Sequence, residues 1–64
     1  MLKNYVQENR KAIGLTQEEL AHAIGVTRQT IISIEKGNYL PSVLLALKLS
    51  QVLLISVEDL FVLK

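Results

Sequence analysis

The chain has 64 residues, of which half are hydrophobic and a fifth are charged, with one histidine and no cysteine. This length accommodates a single domain, residues 1–64, and the composition excludes disulfides and thiolate metal sites as supports for so small a core. The net charge of +1 is too small to indicate a nucleic-acid partner by itself.

Five helices are predicted along the chain, at about residues 3–13, 17–24, 28–36, 43–53 and 56–61. The first places Val6, Arg10 and Ile13 on one face at helical spacing. A serine or threonine that can cap the first turn stands at the start of each later helix: Thr16, Thr27, Ser42 and Ser56. A glycine suited to ending a helix follows each of the first three: Gly14, Gly25 and Gly37. The pattern predicts an all-α fold.

The third span, residues 28–36, has a competing interpretation as a strand. Its β-branched residues, Thr30, Ile31, Ile32 and Ile34, favour extended backbone. We prefer the helix, because the cap, the three-residue spacing of the apolar positions and the terminal glycine all agree with it.

Residues 17–36 have the pattern of a helix-turn-helix. Gly25 allows a tight turn between two helices, and the small Ala21 allows their backbones to approach closely. The side chains left facing outward are mostly long and polar: Gln17, Arg28, Gln29, Ile32, Ser33 and Lys36. Such side chains, grouped near helix N-termini, are suited to binding duplex DNA.

The chain resembles the Cro/CI-type regulators, also called the XRE family, through the segment GLTQEELAHAIGVTRQTIISIEKGNYLPSVLLALKLSQVL. The fixed spacing of its T-Q-E-E-L-A, V-T-R-Q-T-I and I-E-K-G motifs makes the likeness specific. It is closest to the short stand-alone members, including the small cytolysin repressors. The resemblance implies a compact lambda-repressor-like domain that binds DNA and regulates transcription, more often by repression than by activation.

The resemblance also implies which residues contact DNA. Contacts to base edges are expected from Arg28, Gln29 and Ser33, and Ile32 can touch a thymine methyl group. Contacts to the DNA backbone are expected from five further residues: Gln17, Thr27, Thr30, Lys36 and Asn38. We expect Lys11 to face solvent or a phosphate.

Some positions have a structural interpretation beside the functional one. We expect Arg10 to form a salt bridge with Glu35, as the family commonly does, and we leave Tyr39 open between packing on the third helix and contacting DNA. Family members usually have an apolar residue where this chain has Asn9, so its amide needs a partner or the helix packs less deeply. They usually have a glycine in place of Leu54, which implies a different turn or a strained left-handed residue.

The fourth predicted helix is apolar on nearly every side, and its leucines exceed what one small core needs. We assign the surplus to a two-fold interface formed by Leu44, Leu45, Leu47, Leu54, Val57, Phe61 and Leu63. Short family members often dimerise through this region, which implies a homodimer reading a palindromic operator with two helices about 34 Å apart. Near this interface we expect Met1–Lys3 and Phe61–Leu63 to pair as a minor β-ribbon.

The sequence lacks the residue patterns that other classes of function require. Without an activated nucleophile, a phosphate loop or a convergent titratable set, we expect no enzyme, no cofactor and no small-molecule substrate. His22 stands alone, so we expect it to be exposed and to bind no metal. The absence of a long apolar run and of a secretory signal favours a cytoplasmic protein without a membrane partner. The remaining alternative is a protein-interaction module, such as an antitoxin component or an adaptor with the same fold.

Overall fold

Residues 2–64 are described by a computed structural model, and within them five helices and two short strands follow one another. In chain order the elements are β1 (Leu2–Asn4), α1 (Val6–Ala12), α2 (Gln17–Ile24), α3 (Arg28–Lys36), α4 (Val43–Leu53), α5 (Val57–Leu60) and β2 (Phe61–Leu63). The predicted five-helix fold with a small terminal ribbon is confirmed. The second, third and fourth helices have the predicted bounds, and the third span is a helix rather than a strand.

Side-chain caps determine where α2, α3 and α4 begin. Thr16, Thr27 and Ser42 have extended backbone, and each side chain accepts a hydrogen bond from the amide three residues on. At α2 the Glu19 carboxylate also accepts a bond from the Thr16 amide over 2.8 Å, which completes a capping box. These bonds satisfy amides that have no carbonyl partner within their own helix.

The first helix begins later than predicted, because the residues before it form β1. The antiparallel register pairs Leu2 with Leu63, Lys3 with Val62 and Asn4 with Phe61. The expected ribbon is therefore present, with its first strand at Leu2–Asn4, while Met1 lies outside the described residues. The fifth helix likewise ends at Leu60, because Phe61 already belongs to β2.

The hydrophobic core lies where the five helices meet. Its buried members are Val6, Leu20, Ala21, Ile24, Ile31, Ile34, Leu45, Leu49, Leu53 and Leu60. The assignment of Leu45 to a dimer interface was wrong, because its side chain is 9% exposed and packs inside this core. A helix that is apolar on nearly every side gives no sequence pattern that separates its inner face from its outer face.

Both departures from the family pattern are accommodated in the fold. The Asn9 amide donates to the Tyr5 carbonyl over 2.8 Å, so the polar side chain has a partner. Leu54 follows α4 with φ 58° and ψ 42°, which is the left-handed alternative. A leucine in this region is strained, because its Cβ approaches the following carbonyl.

Candidate nucleic-acid interface

The two helices of the helix-turn-helix, α2 and α3, pack closely at Ala21. Gly25 adopts φ 76°, and the Val26 amide donates to the Ala21 carbonyl over 3.0 Å, so the chain reverses within a few residues. Ala21 is 2% exposed, which leaves no space for a larger side chain at the crossing. Because Ile31 and Ile34 are buried beneath α3, the opposite face of this helix is left to solvent.

The side chains predicted to read bases lie on this outer face of α3. Arg28 and Gln29 are exposed in its first turn, and Ile32 and Ser33 are half-buried one turn later. Among residues 2–64, the side chains of Arg28, Gln29 and Ser33 have no hydrogen-bond partner. Their donors and acceptors are therefore available to a ligand.

The residues predicted to contact the DNA backbone differ in whether their side chains already form hydrogen bonds within the protein. The Thr27 hydroxyl caps the Thr30 amide and lies 3.1 Å from the Thr30 hydroxyl, so these two side chains bond each other. Lys36 and Asn38 are exposed at the other end of α3. Lys11 is exposed on α1. The cationic side chains at both ends of α3, Arg28 and Lys36, favour an anionic partner on this face.

An open cleft of about 280 Å³ runs along this face of α3. Its lining side chains are all polar and uncharged: Thr27, Gln29, Thr30, Ser33, Asn38 and Tyr39. Five of these were predicted to contact DNA from the sequence, and Tyr39, whose role the sequence left open, joins them with 47% of its surface exposed. No stronger signal for Tyr39 was present in the sequence, because this residue lies in a loop without periodicity.

A buried network behind this face connects three helices. Arg10 of α1 donates from Nε to Glu35 Oε2 over 2.7 Å and from Nη1 to the Leu15 carbonyl over 2.9 Å. Gln17, at the start of α2, donates from Nε2 to Glu35 Oε1 over 3.0 Å. The expected partners Arg10 and Glu35 therefore meet. The Gln17 amide is held by Glu35 and keeps one N–H for another acceptor.

No group of three or more His, Cys, Asp and Glu side chains within residues 2–64 could hold a metal ion, and His22 is exposed. None of the helices described is long and apolar enough to cross a bilayer.

An apolar surface lies outside the core, on α4 and near the C-terminal strand. Of the residues predicted for a dimer interface, Leu44, Leu47, Leu54 and Leu63 are 64%, 52%, 84% and 83% exposed. Val57 and Phe61 are half-buried, and Phe61 packs against the core. Leu40 and Val43, which the sequence interpretation did not assign, are 72% and 78% exposed.

Comparison with known proteins gives matches along nearly the whole chain. A family model described as "Helix-turn-helix" matches residues 6–60. An uncharacterized HTH-type transcriptional regulator from Methanothermobacter thermautotrophicus is 51% identical over 63 residues, which cover 97% of this chain and 91% of the relative.

Two solved structures are similar in both fold and sequence. The restriction-modification controller protein C.AhdI from Aeromonas hydrophila has a TM-score of 0.78 and 35% identity, over 84% of this chain and 82% of that chain. The N-terminal DNA binding domain of SinR from Bacillus subtilis has a TM-score of 0.77 and 34% identity, over 84% and 80% of the two chains.

Proposed function

Because the chain belongs to the XRE family of helix-turn-helix DNA-binding transcriptional regulators, we propose that it binds a palindromic operator as a homodimer and represses transcription. The observation that carries this proposal is the outer face of α3, where the unpartnered side chains of Gln29 and Ser33 line an open cleft and Arg28 and Lys36 are exposed at the two ends of the helix. A surface of this kind fits the major groove of DNA.

Arg28 and Gln29 are proposed to read base edges. An arginine can donate two parallel bonds to guanine O6 and N7, and a glutamine can pair with adenine N6 and N7. Both residues lie in the first turn of α3, the part of a recognition helix that enters the groove. Ser33, one turn further along the cleft, can donate to or accept from either kind of base, and Ile32 can contact a thymine methyl group.

The remaining polar residues of this face are proposed to hold the phosphates on either side of the groove. Lys36 and Lys11 can neutralise phosphates, and Asn38 and Thr27 can donate hydrogen bonds without adding charge. Gln17 has one free amide hydrogen and stands at the start of α2, where unpaired backbone amides favour an anion.

The homodimer proposal rests on the exposed leucines of α4 and its C-terminal neighbours. A monomer of this size rarely leaves so many large apolar side chains in water. A two-fold axis would bury the same patch on both copies and would place two α3 helices toward one palindromic site. Repression fits this arrangement, because a bound dimer blocks access to the DNA that it covers. A DNA-binding role also agrees with the cytoplasmic location expected from the sequence.

Selection of bound fragments from a random duplex pool tests the function directly. We expect enrichment of one palindromic sequence, with an affinity that falls by orders of magnitude between about 50 and 200 mM salt, since several phosphates release counterions on binding. A chain that ignores duplex DNA at low salt, yet binds a protein partner with little salt dependence, would instead be a protein-interaction module.

A further inference from the structure

The C-terminal end of α3 is hydrogen-bonded to the N-terminal strand. Asn4 Nδ2 donates to the Ile34 carbonyl over 3.0 Å, although the two residues are far apart in sequence. The same carbonyl accepts a bond from the Gly37 amide over 2.9 Å, so both of its lone pairs are used. Asn4 thus supplies a second donor to a carbonyl in the last turn of α3.

The same side chain also fixes the start of α1. Asn4 Oδ1 accepts a bond from the Val6 amide over 3.3 Å, whereas Tyr5, the residue that precedes α1, provides no side-chain cap. The Asn4 backbone lies in register with Phe61 of β2. One half-buried amide therefore connects the ribbon, α1 and α3.

We propose that Asn4 is a positioning residue for DNA recognition, which sets where α3 sits relative to α1 and the ribbon. This inference rests on the proposed function. Burial of Ile31 and Ile34 holds α3 on the core, but apolar contacts have no preferred direction and resist small shifts weakly. Hydrogen bonds are directional, and side chains that read base edges must be held to within about 0.5 Å. Among the residues described, the Arg10–Glu35 ion pair is the other polar interaction that holds α3 in place. Without the Asn4 side chain, Glu35 is therefore the remaining residue through which polar contacts orient the helix.

Two neutral substitutions separate the two bonds of Asn4. Asn4→Ser keeps an oxygen that can accept from the Val6 amide, but its side chain is too short to reach the Ile34 carbonyl. Asn4→Ala removes both bonds. Ser56→Ala is a matched control, because it removes one cap of similar strength, the bond from the Asp59 amide over 3.3 Å, at a helix that is not α3.

The binding experiment uses the full chain, the duplex selected from the random pool and an unrelated duplex at the same salt. Both Asn4 variants are expected to bind the selected duplex about fivefold more weakly, which is the value of one typical hydrogen bond. Binding to the unrelated duplex should be unchanged, because it depends on charge and the charge is the same. Ser56→Ala should match the parent protein on both duplexes.

Amide hydrogen exchange provides a readout that does not depend on DNA. The amides of Gly37 and Asn38, which close the end of α3, should exchange faster in both Asn4 variants. The first amides of α1 should exchange faster only in Asn4→Ala.

The proposal is overturned if Asn4→Ser binds like the parent while Asn4→Ala is weakened, since Asn4 then acts only as a cap for α1. Unchanged exchange at Gly37 and Asn38 overturns it as well. If the parent protein binds no duplex at all, the proposed function itself fails; if the parent binds specifically and both variants match it, only the role of Asn4 fails.

Discussion

Arg10 and Glu35 form an ion pair inside the protein, with 2.7 Å between Arg10 Nε and Glu35 Oε2 and with side chains only 8% and 4% exposed. Arg10 Nη2 also donates to Glu35 Oε1 over 3.3 Å, and bonds to the Leu15 carbonyl and from the Gln17 amide complete the set, so every polar atom of the pair is engaged. Such a pair contributes less by its own attraction than by the cost of leaving either partner buried alone.

Replacing one member of this pair is therefore expected to destabilise the fold. Arg10→Met should lower the free energy of unfolding by about 3–5 kcal/mol, because the Glu35 carboxylate is left buried without its counterion. Urea denaturation followed by circular dichroism measures the change. The double variant Arg10→Met with Glu35→Leu should recover most of the loss, and a double variant as unstable as the single one would contradict this explanation.

The capping box at α2 predicts a dependence of stability on pH. The pKa of Glu19 is lowered from 4.5, first by its hydrogen bond with the Thr16 backbone and then by the one with the Thr16 side chain. A carboxyl whose pKa is lower in the folded state contributes stability above its unfolded pKa and loses it as the pH falls through the folded value. We expect stability to decline as the pH falls below 4.5.

Glu19→Gln isolates this contribution, because glutamine keeps the capping geometry and does not titrate. Its urea midpoint should change less than that of the parent protein as the pH is lowered. Glu18→Gln is the control, since within residues 2–64 the Glu18 side chain forms no hydrogen bond, and it should keep more of the parent's dependence. Equal slopes in the two variants would show that the box makes no pH-dependent contribution.

The backbone conformation of Leu54 predicts that glycine at this position gives a more stable protein than alanine. Its φ of 58° strains a leucine, and its side chain is 84% exposed, so little packing offsets the strain. Leu54→Gly should have a free energy of unfolding about 1 kcal/mol higher than Leu54→Ala in urea denaturation, because both substitutions remove the side chain and only glycine relieves the backbone strain. The comparison is made at low protein concentration, and alanine equal to glycine would exclude backbone strain.

Substitutions on α3 should separate base reading from phosphate binding. Arg28→Ala and Gln29→Ala should each reduce discrimination at one operator position by about 1–3 kcal/mol. Lys36→Ala should weaken binding to all sequences about equally. It should lower the slope of log affinity against log salt by about 2, since each copy of the dimer loses one phosphate contact. Binding arrays of single-base operator variants at several salt concentrations measure both effects. Unchanged preference in Arg28→Ala and Gln29→Ala would refute the proposed docking.

The exposed leucines predict how association responds to mutation. Leu44→Gln should weaken dimerisation about tenfold or more, because each copy loses an apolar side chain from the same two-fold patch. Sedimentation equilibrium measures the dissociation constant. Ile13→Gln is the matched control, since Ile13 is an exposed apolar residue outside the proposed interface and its loss should leave association unchanged. A monomeric parent protein would reject the homodimer outright.

Local chemistry accounts for the parts of the fold that were predictable from the sequence. Thr16, Thr27 and Ser42 fix the starts of three helices through bonds that span three residues, so a short window contains the whole signal. Pairing of Leu2–Asn4 with Phe61–Leu63 joins opposite ends of the chain, and no window contains both strands. The helical interpretation of Lys3–Ile13 therefore extended too far.

The candidate site was likewise predictable where it depends on a single helix, and not where it depends on contacts between helices. The outward face of α3 follows from its helical period, which predicted Gln29 and Ser33 among the residues that line the cleft. The family resemblance, and not the period, indicated Thr27, Thr30 and Asn38. The partners of Asn4 and the inward position of Leu45 depend on how separate helices meet, and an apolar α4 offers no contrast from which to infer its orientation. These positions are determined by the packing of helices against one another, and the periodicity within a single helix contains no information about that packing.

The terminal ribbon has a consequence for the order in which the protein folds. Contacts between Leu2 and Leu63 close nearly the longest loop that this chain allows, whereas α2 and α3 adjoin in sequence and meet at little entropic cost. We therefore expect the ribbon to form after the folding transition state and the contacts between α2 and α3 to form before it. Weakening the ribbon should accelerate unfolding while leaving the refolding rate nearly unchanged.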